Sequence, residues 1–250
     1  MTYHIYGLKL GERDRDSALF APGLVQSPKV RLYYYMWVLR GEEGHAVLVD
    51  TGILEEDAKR QGLMDYTDPR KLLASVKVDP SEVRHVILTH LHWDHCSALG
   101  LYPKATFHVQ RAEVEFWTGP MVRFRQIKQS EGRVVELASI SQEGRVHYLD
   151  GDAEIVPGVR VALLGGHTPG SQAVVVQTSK GQAVLCADAA DFYLNLEHDI
   201  MGSALDLPKA LMAFDRMRSM ASQPGLLIPG HDPSVMERFP SVAPGVAQVA

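Results

Sequence analysis

Cysteine is nearly absent from this chain: Cys96 and Cys186 are the only two in 250 residues. Two thiols cannot make a disulfide framework, so a packed core must hold the fold, and a reducing cytosol is the simplest home. No run of 18 consecutive apolar residues occurs, which leaves no candidate membrane-spanning helix. The opening Met1-Thr2-Tyr3-His4-Ile5-Tyr6 has no basic segment leading into an apolar one, so it does not read as a secretory signal. Positive charge is also in deficit. Lys and Arg number 25 against 30 Asp and Glu, a formal net charge of −5, which argues against a surface built for phosphate backbones or anionic membranes. Neither nucleic acid nor membrane is therefore an expected partner. What remains is ordinary for a globular protein with a full core, 46% hydrophobic and 22% charged, and 250 residues suit either one large domain or two smaller ones.

Histidine is present in quantity, 11 in all, and it is concentrated. Thr89-His90-Leu91-His92-Trp93-Asp94-His95 directly follows the apolar run Val86-Ile87-Leu88, which reads as a buried strand. Imidazoles and a carboxylate at this spacing are a strong metal signal. On an extended turn His90 and His92 point the same way, while Asp94 and His95 swing to the other side as a helix begins. That geometry suits two adjacent ions, where the bland alternative is a polar loop rich in histidine. Cys96, next to the motif, reads as a packing residue because the imidazoles and carboxylates already suffice.

Along the chain, residues 3–10 alternate enough to start a sheet, and residues 11–29 read as a surface loop with Pro22, Gly23 and Pro28. Val30–Leu39 and Ala46–Val49, separated by Arg40-Gly41-Glu42-Glu43-Gly44, carry a hairpin signature. The second run ends in Asp50-Thr51-Gly52; Asp50 either orients a metal-binding histidine or caps its own turn. Asp68-Pro69 opens a helix with an N-cap and a first-turn proline, and Asp79-Pro80-Ser81-Glu82 is a second capped turn. A strand at 84–88, a short helix at 98–101, a strand at 105–109 and a helix at 111–117 follow. Residues 118–145 have no clean period and fit either a lid or a solvated connection. Between 146 and 187 come five short β-like runs, then an amphipathic helix over 208–221 with Leu211, Phe214, Met217 and Met220 as its stripe, and a last strand at 226–228. Strands then helices, twice over, imply two packed sheets with helices outside. The tail beyond Pro240 is expected to be loosely held.

Three further residues stand at the ends of β-like runs beside turn residues: His167 in Gly165-Gly166-His167-Thr168-Pro169-Gly170, Asp188 after Val184–Ala187, and His231 after Pro229-Gly230. Glycine before a ligand would let the backbone approach an ion closely. With the motif they make a set of seven. His90, His92 and His167 would hold one ion, Asp94, His95 and His231 the other, and Asp188 would bridge the two. His4, His45, His108 and His147 have no partner in sequence, His85 reads as structural, and His198 faces either a substrate or solvent.

The motif, Val49-Asp50-Thr51-Gly52, Gly166-His167-Thr168-Pro169-Gly170, Asp188 and Gly230-His231-Asp232 occur in an order that resembles the metallo-β-lactamase superfamily. Val109-Gln110-Arg111-Ala112-Glu113, the segment from Asp150 to Val159 and the His231-Asp232 ending are similar to its N-acyl homoserine lactone lactonases, the quorum-quenching branch. The resemblance spans residues 30–240. It implies an α/β fold of the αββα sandwich type in a single domain over residues 1–250, a dinuclear site with two divalent ions, usually Zn2+, and a small lactone as substrate. Those lactonases carry a tyrosine three residues after the bridging aspartate; here that position is Asp191, and Tyr193 is the nearest phenol to contact a substrate carbonyl. The resemblance makes Asp94 the proton shuttle and Asp50 a support behind the ligands. Trp93, Met36, Phe192 and parts of 118–125 are candidate apolar walls. A glyoxalase II-like thioester hydrolase shares the seven ligands and is the alternative reading.

Overall fold

The structure, a computed structural model, describes residues 1–23, 26, 28–41, 44–128 and 131–250, with the backbone alone at 126. The first sheet is built from β1 (Tyr3–Asp16), β2 (Lys29–Gly41), β3 (Ala46–Val49), β4 (His85–Ile87), β5 (Thr106–Gln110), β6 (Val146–Leu149), β12 (Ser241–Ala243) and β13 (Val246–Gln248). The second holds β7 (Ala153–Val156), β8 (Val159–Leu163), β9 (Gln172–Thr178), β10 (Gly181–Ala187) and β11 (Leu227–Pro229). Their orders are β12-β13-β1-β2-β3-β4-β5-β6 and β11-β10-β9-β8-β7. β3 through β6 pair in parallel, as do β10 and β11, and the remaining neighbours are antiparallel.

Alternation along β2 shows how the layers stack. Tyr35, Trp37 and Leu39 enter the core between the sheets, whereas Tyr34, Met36 and Val38 enter a second core on the other face. That second core is closed by helices α1 (Glu55–Gln61), α2 (Pro69–Ser75), α3 (Arg111–Thr118) and α5 (Val134–Gln142). A short α4 (Arg125–Lys128) lies before α5, and α6 (Tyr193–His198), α7 (Leu207–Met220) and α8 (Val235–Arg238) follow β10 and β11. Phe214 and Met217 of α7 join the core of the second sheet. A strand buried on both faces needs covering layers outside, and the result is the αββα sandwich that the motifs implied.

Local chemistry explains the element ends. Asp68 accepts a hydrogen bond from the Arg70 N–H at 2.8 Å with Pro69 in the first turn of α2, and Asp206 caps α7 through Lys209. The α7 stripe differs from the one expected. Ala210, Ala213, Phe214 and Met217 are buried, whereas Leu211 is exposed. Small residues there let the helix approach the loop at Gly166, where a Cβ would lie 2.5 Å from the Ala210 Cα.

Three expectations are corrected. Residues 11–16 belong to β1 instead of a loop, paired with β2 from Gly11↔Tyr34 to Asp16↔Lys29. They look loop-like in sequence because charges alternate along them, and of these Glu12 and Asp14 pair with Arg31 across the strands. Residues 118–145 contain helices α4 and α5, and α5 buries Val134, Leu137 and Ile140; α1, a short helix made mostly of charged residues, was not read either. The tail is ordered: β13 pairs with β1, and Val246, Ala247 and Val249 are fully buried. The hairpin between β2 and β3 forms as read, although Glu42 and Glu43 at its turn lie outside the described residues, as do Gln129 and Ser130 in the 118–145 segment. Among the described residues no helix is long and apolar enough to cross a membrane.

Candidate metal centre

Strand ends deliver the site. The loop from Thr89 leaves β4, His167 follows β8, Asp188 directly follows β10, and His231 lies two residues past β11. All seven expected ligands converge. One ligand atom from each of His90, His92, His167 and Asp188 falls in one group with mutual distances within 4.8 Å, and Asp94, His95 and His231 form a second. Asp188 faces both. Its Oδ1 lies 3.1 Å from His95 Nε2 and 3.1 Å from His231 Nε2, and its Oδ2 lies 3.4 Å from His167 Nε2 and 3.6 Å from His90 Nε2. Asp94 Oδ2 is 3.4 Å from His95 Nε2 and 3.7 Å from His231 Nε2.

The far nitrogens of these rings are tied down, which fixes ring orientation and basicity. His95 Nδ1 meets Asp50 Oδ2 at 2.8 Å, His231 Nδ1 meets the Tyr33 carbonyl at 2.9 Å, and His167 Nδ1 meets the Ser203 carbonyl. Thr89 Oγ1 sits 3.2 Å from His90 Nδ1, and His92 stacks edge-on against Trp117. Asp50 therefore has the orienting role, and it also accepts from the Thr89 N–H at 2.8 Å. Backbone strain gathers here as well: Asp50 and Ala187 take φ of 64° and 47°, left-handed values that cost a non-glycine residue roughly 1–2 kcal/mol.

Glu113 was quoted in the sequence only as part of a motif, and the structure gives it a task. It is completely buried on α3. Its Oε1 accepts from the Leu91 N–H at 3.0 Å and from Trp117 Nε1 at 2.7 Å, and its Oε2 accepts from Thr168 Oγ1 at 2.7 Å and the Gly170 N–H at 2.9 Å. One carboxylate thus clamps the loop of His90 to the loop of His167. The glycines beside the ligands also serve differently from expectation. A Cβ at Gly230 would strike the Ala187 carbonyl at 2.6 Å, so glycine there admits a neighbouring strand, not an ion.

Electrostatics follow from packing carboxylates among imidazoles. Burial, reinforced by His167, drives His92 down to about 3. Burial alone would lower His231, but Asp188 and Asp94 raise it to about 9. Burial would likewise raise Asp188, yet His95, His231, His90 and His167 hold it well below the usual carboxylate range. Cys96 is buried and its thiol is pushed up to about 12 by burial, consistent with packing and not ligation.

A cavity of about 430 Å³ opens onto the clusters. His92, Asp94, His167, Asp188 and His231 face it, with Trp93, Phe20, Leu32, Phe116, Trp117 and Leu205 as apolar walls. Trp93 lines it as expected. Met36 and Phe192 are core residues instead, Phe192 packing edge-on against Phe20, and within 118–145 it is Ile127 that reaches the wall. His198 is exposed at the end of α6 and does not line the cavity.

Neither Asp191, at the position of the missing tyrosine, nor Tyr193 lines this cavity, although a carboxylate oxygen of Asp191 lies within 4.8 Å of ligand atoms of Asp188 and His231. Asp191 is fully buried and accepts from Ser203 Oγ at 2.8 Å, with burial and Asp188 pushing it up to about 7. Tyr193 lines a separate cleft, with the Arg238 guanidinium 3.7 Å from its ring centroid. Tyr193 opens α6, and its buried ring packs into the core shared by the two sheets, outside the cavity of the clusters. The phenol in the cavity is Tyr34 of β2, stacked against His231 and Trp93 at centroid distances of 5.2 and 5.4 Å. Burial first, then Asp94, raises its hydroxyl above the usual phenol range. In sequence it is the middle of Tyr33-Tyr34-Tyr35, and strand parity pairs it with Leu32, but parity does not say which face meets the metal cluster.

The chain belongs to the metallo-beta-lactamase superfamily, whose family model matches residues 31–231. Within it, an N-acyl homoserine lactonase from a Bacillus species is 28% identical over 244 residues, 91% of this chain and 92% of that protein. The lactonase AttM of Azorhizobium caulinodans is 29% identical over 184 residues, 67% of this chain and 65% of that one. Among solved structures, a quorum-quenching N-acyl homoserine lactone lactonase superposes with a TM-score of 0.80 at 24% identity, covering 98% of this chain and 99% of that one. An N-acyl homoserine lactone hydrolase with N-hexanoyl-L-homoserine at its catalytic metal centre gives 0.79 at 23% identity, covering 96% and 98%.

Proposed function

We propose that this chain is a dinuclear metal-dependent lactonase, a carboxylic ester hydrolase that opens a small lactone, with N-acyl homoserine lactones or a related ring as substrate. The observation that carries the dinuclear part is Asp188, with one oxygen toward each ligand group. The lactone part is supported by the similarity to lactonases along nearly the whole chain. The donor set fits two divalent cations: His90 Nε2 and His95 Nε2 are buried without a hydrogen-bond partner, and five imidazoles with two carboxylates suit zinc. A cytoplasmic home, in keeping with two free buried thiols, belongs to the same proposal.

Bound there, the cations would supply hydroxide at neutral pH and Lewis acidity at the ester carbonyl. Side chains do the rest. Asp94, in the ligand group and on the cavity wall, takes the proton of the attacking water. It returns that proton to the ring oxygen as the acyl C–O bond breaks and the new carboxylate forms. Tyr34, held protonated, donates its hydroxyl to the carbonyl oxygen. Trp93, Phe20 and Phe116 keep water from the remainder of the substrate.

A turnover panel of acyl homoserine lactones, other lactones, simple esters and thioesters on metal-analysed protein tests this. Two ions per chain are expected, with lactones opened in preference and hydrolysis lost in Asp94→Asn while metal is retained. One ion or none under metal-replete conditions would overturn it. A preference for thioesters would shift the assignment to the glyoxalase II-like alternative.

A further inference from the structure

The run Glu12-Arg13-Asp14-Arg15-Asp16 looks like a solvated charge cluster, but as the end of β1 it is sorted by the pleat. Successive residues point to opposite faces, so the acids take one side and the arginines the other. The acids are consumed locally. Glu12 pairs with Lys9 at 2.7 Å and with Arg31, Asp14 pairs with Arg31 directly across the strands, and Asp16 caps the following turn by accepting from the Ala18 N–H at 2.9 Å. On the other face Arg13, opposite Leu32, reaches Gln61 Oε1 at 3.3 Å. The Arg15 side chain has no hydrogen bond or ion pair among the described residues, and it lines the cavity of the candidate metal centre.

Most of its company there is apolar or already committed, and the Tyr34 phenol, whose ionisation the positive charge of Arg15 favours, shares the wall. Leu19, Phe20 and Leu32 surround that end of the wall, and the carboxylates that line the cavity, Asp94 and Asp188, belong to the ligand groups. Arg15 forms an ion pair with neither. Half-buried beside aromatic and aliphatic walls, a guanidinium without a counterion is an incomplete site, since the fork geometry of Arg suits a carboxylate. We propose that Arg15 is a specificity-determining residue that receives an anionic group, a carboxylate, on the part of the substrate remote from the lactone carbonyl. The substrate class is then an anionic lactone in place of a neutral acyl one. This rests on the lactonase reading above.

The test compares two lactones of one skeleton, an ω-carboxyacyl homoserine lactone and its ω-carboxamide, on metal-loaded protein. Wild type is expected to favour the acid at least tenfold in kcat/KM, with the advantage shrinking as ionic strength rises. In Arg15→Gln the ratio falls to within twofold of unity, and Arg15→Lys restores part of it. Arg13→Gln, which removes the same charge from the same strand face, keeps the wild-type ratio. Calorimetry with the lactam analogues of both compounds, which are not turned over, reads the same preference as binding. Equal handling of acid and amide by wild type, or a preference that survives Arg15→Gln, overturns the inference. If neither lactone is opened, the lactonase reading falls, and lactam binding still decides whether Arg15 selects an anion.

Discussion

Each imidazole of the centre owes its usefulness to the group behind it. Asp50 accepts from His95 Nδ1, which leaves His95 Nε2, facing Asp188 and Asp94, as the nitrogen that would ligate once an ion displaces its proton. In Asp50→Asn the amide would satisfy Thr89 through its oxygen and present N–H to His95, forcing the proton onto Nε2. Metal affinity at the group of Asp94, His95 and His231 should fall about 10–100-fold, read by metal titration of the variant. Full occupancy at unchanged affinity would remove Asp50 from that role. Tyr34 is a different case, because its hydroxyl serves substrate and not metal. Tyr34→Phe should lower kcat/KM by on the order of 10²-fold, the cost of losing one preorganised donor, with both ions retained. Tyr193→Phe should leave kcat/KM within about twofold, since its ring lies in another cleft. The reverse pattern would restore Tyr193 and dismiss Tyr34. The seven candidate ligands were legible in sequence, four from the spacing of the motif after β4 and three because each stands at a strand end beside turn residues. Tyr34 and Arg15 were not, because both lie mid-pattern in a strand whose exposed and buried faces only the packed sheets define.

Three parallel strands place His85, His108 and His147 in a row, with His85 Nδ1 3.0 Å from His108 Nε2 and His108 Nδ1 3.2 Å from His147 Nδ1. His108 is held down to about 3 by burial and by the two flanking imidazoles. The folded protein thus keeps His108 neutral while the unfolded chain takes up a proton near 6.5. Its contribution is fully present above that pH and is lost as pH falls toward about 3, with a slope of at most about 1.4 kcal/mol per pH unit. Denaturant unfolding from pH 7.5 to 5 should show this slope in wild type and a shallower one in His108→Gln. Parallel curves would mean that the row already shares a proton when folded. Sequence spacing does not reveal such a row, since residues 85, 108 and 147 meet only through the parallel register of β4, β5 and β6. The strands themselves were legible from short apolar runs. The helices α1 and α5 were not, because seven and nine residues give too little period to read, and α1 is mostly charged as well.

At the scale of the molecule, the two sheets meet the metal centre with loops that have few other reasons to converge. Asp188 and His231 leave the second sheet, the loop of His90 leaves the first, and Glu113 ties that loop to the one bearing His167. The sequence showed two repeats of strands followed by helices, and hence two sheets, but not that one would have eight strands and the other five. Most of the imbalance comes from β12 and β13; Val246 of β13 and Val249 just beyond it are buried although the segment reads as a loose tail. A set of ligands gathered this way couples ion binding to folding, because the unfolded chain holds no such site. Bound metal at 100 times its dissociation constant adds about 2.7 kcal/mol per ion. For a chain of this size each ion then raises Tm by about 5–10 °C. Calorimetric scans with a chelator should show Tm falling by that amount or more and recovering when zinc is restored. Competing protons bear on the same equilibrium: imidazoles must be neutral to ligate, and Asp188 and Asp94 raise His231 to about 9 in the metal-free protein. Metal uptake should therefore release protons, measurable as a buffer-dependent heat. Scans that coincide with and without chelator, at any pH, would mean that the loops are held by Glu113 and the core alone.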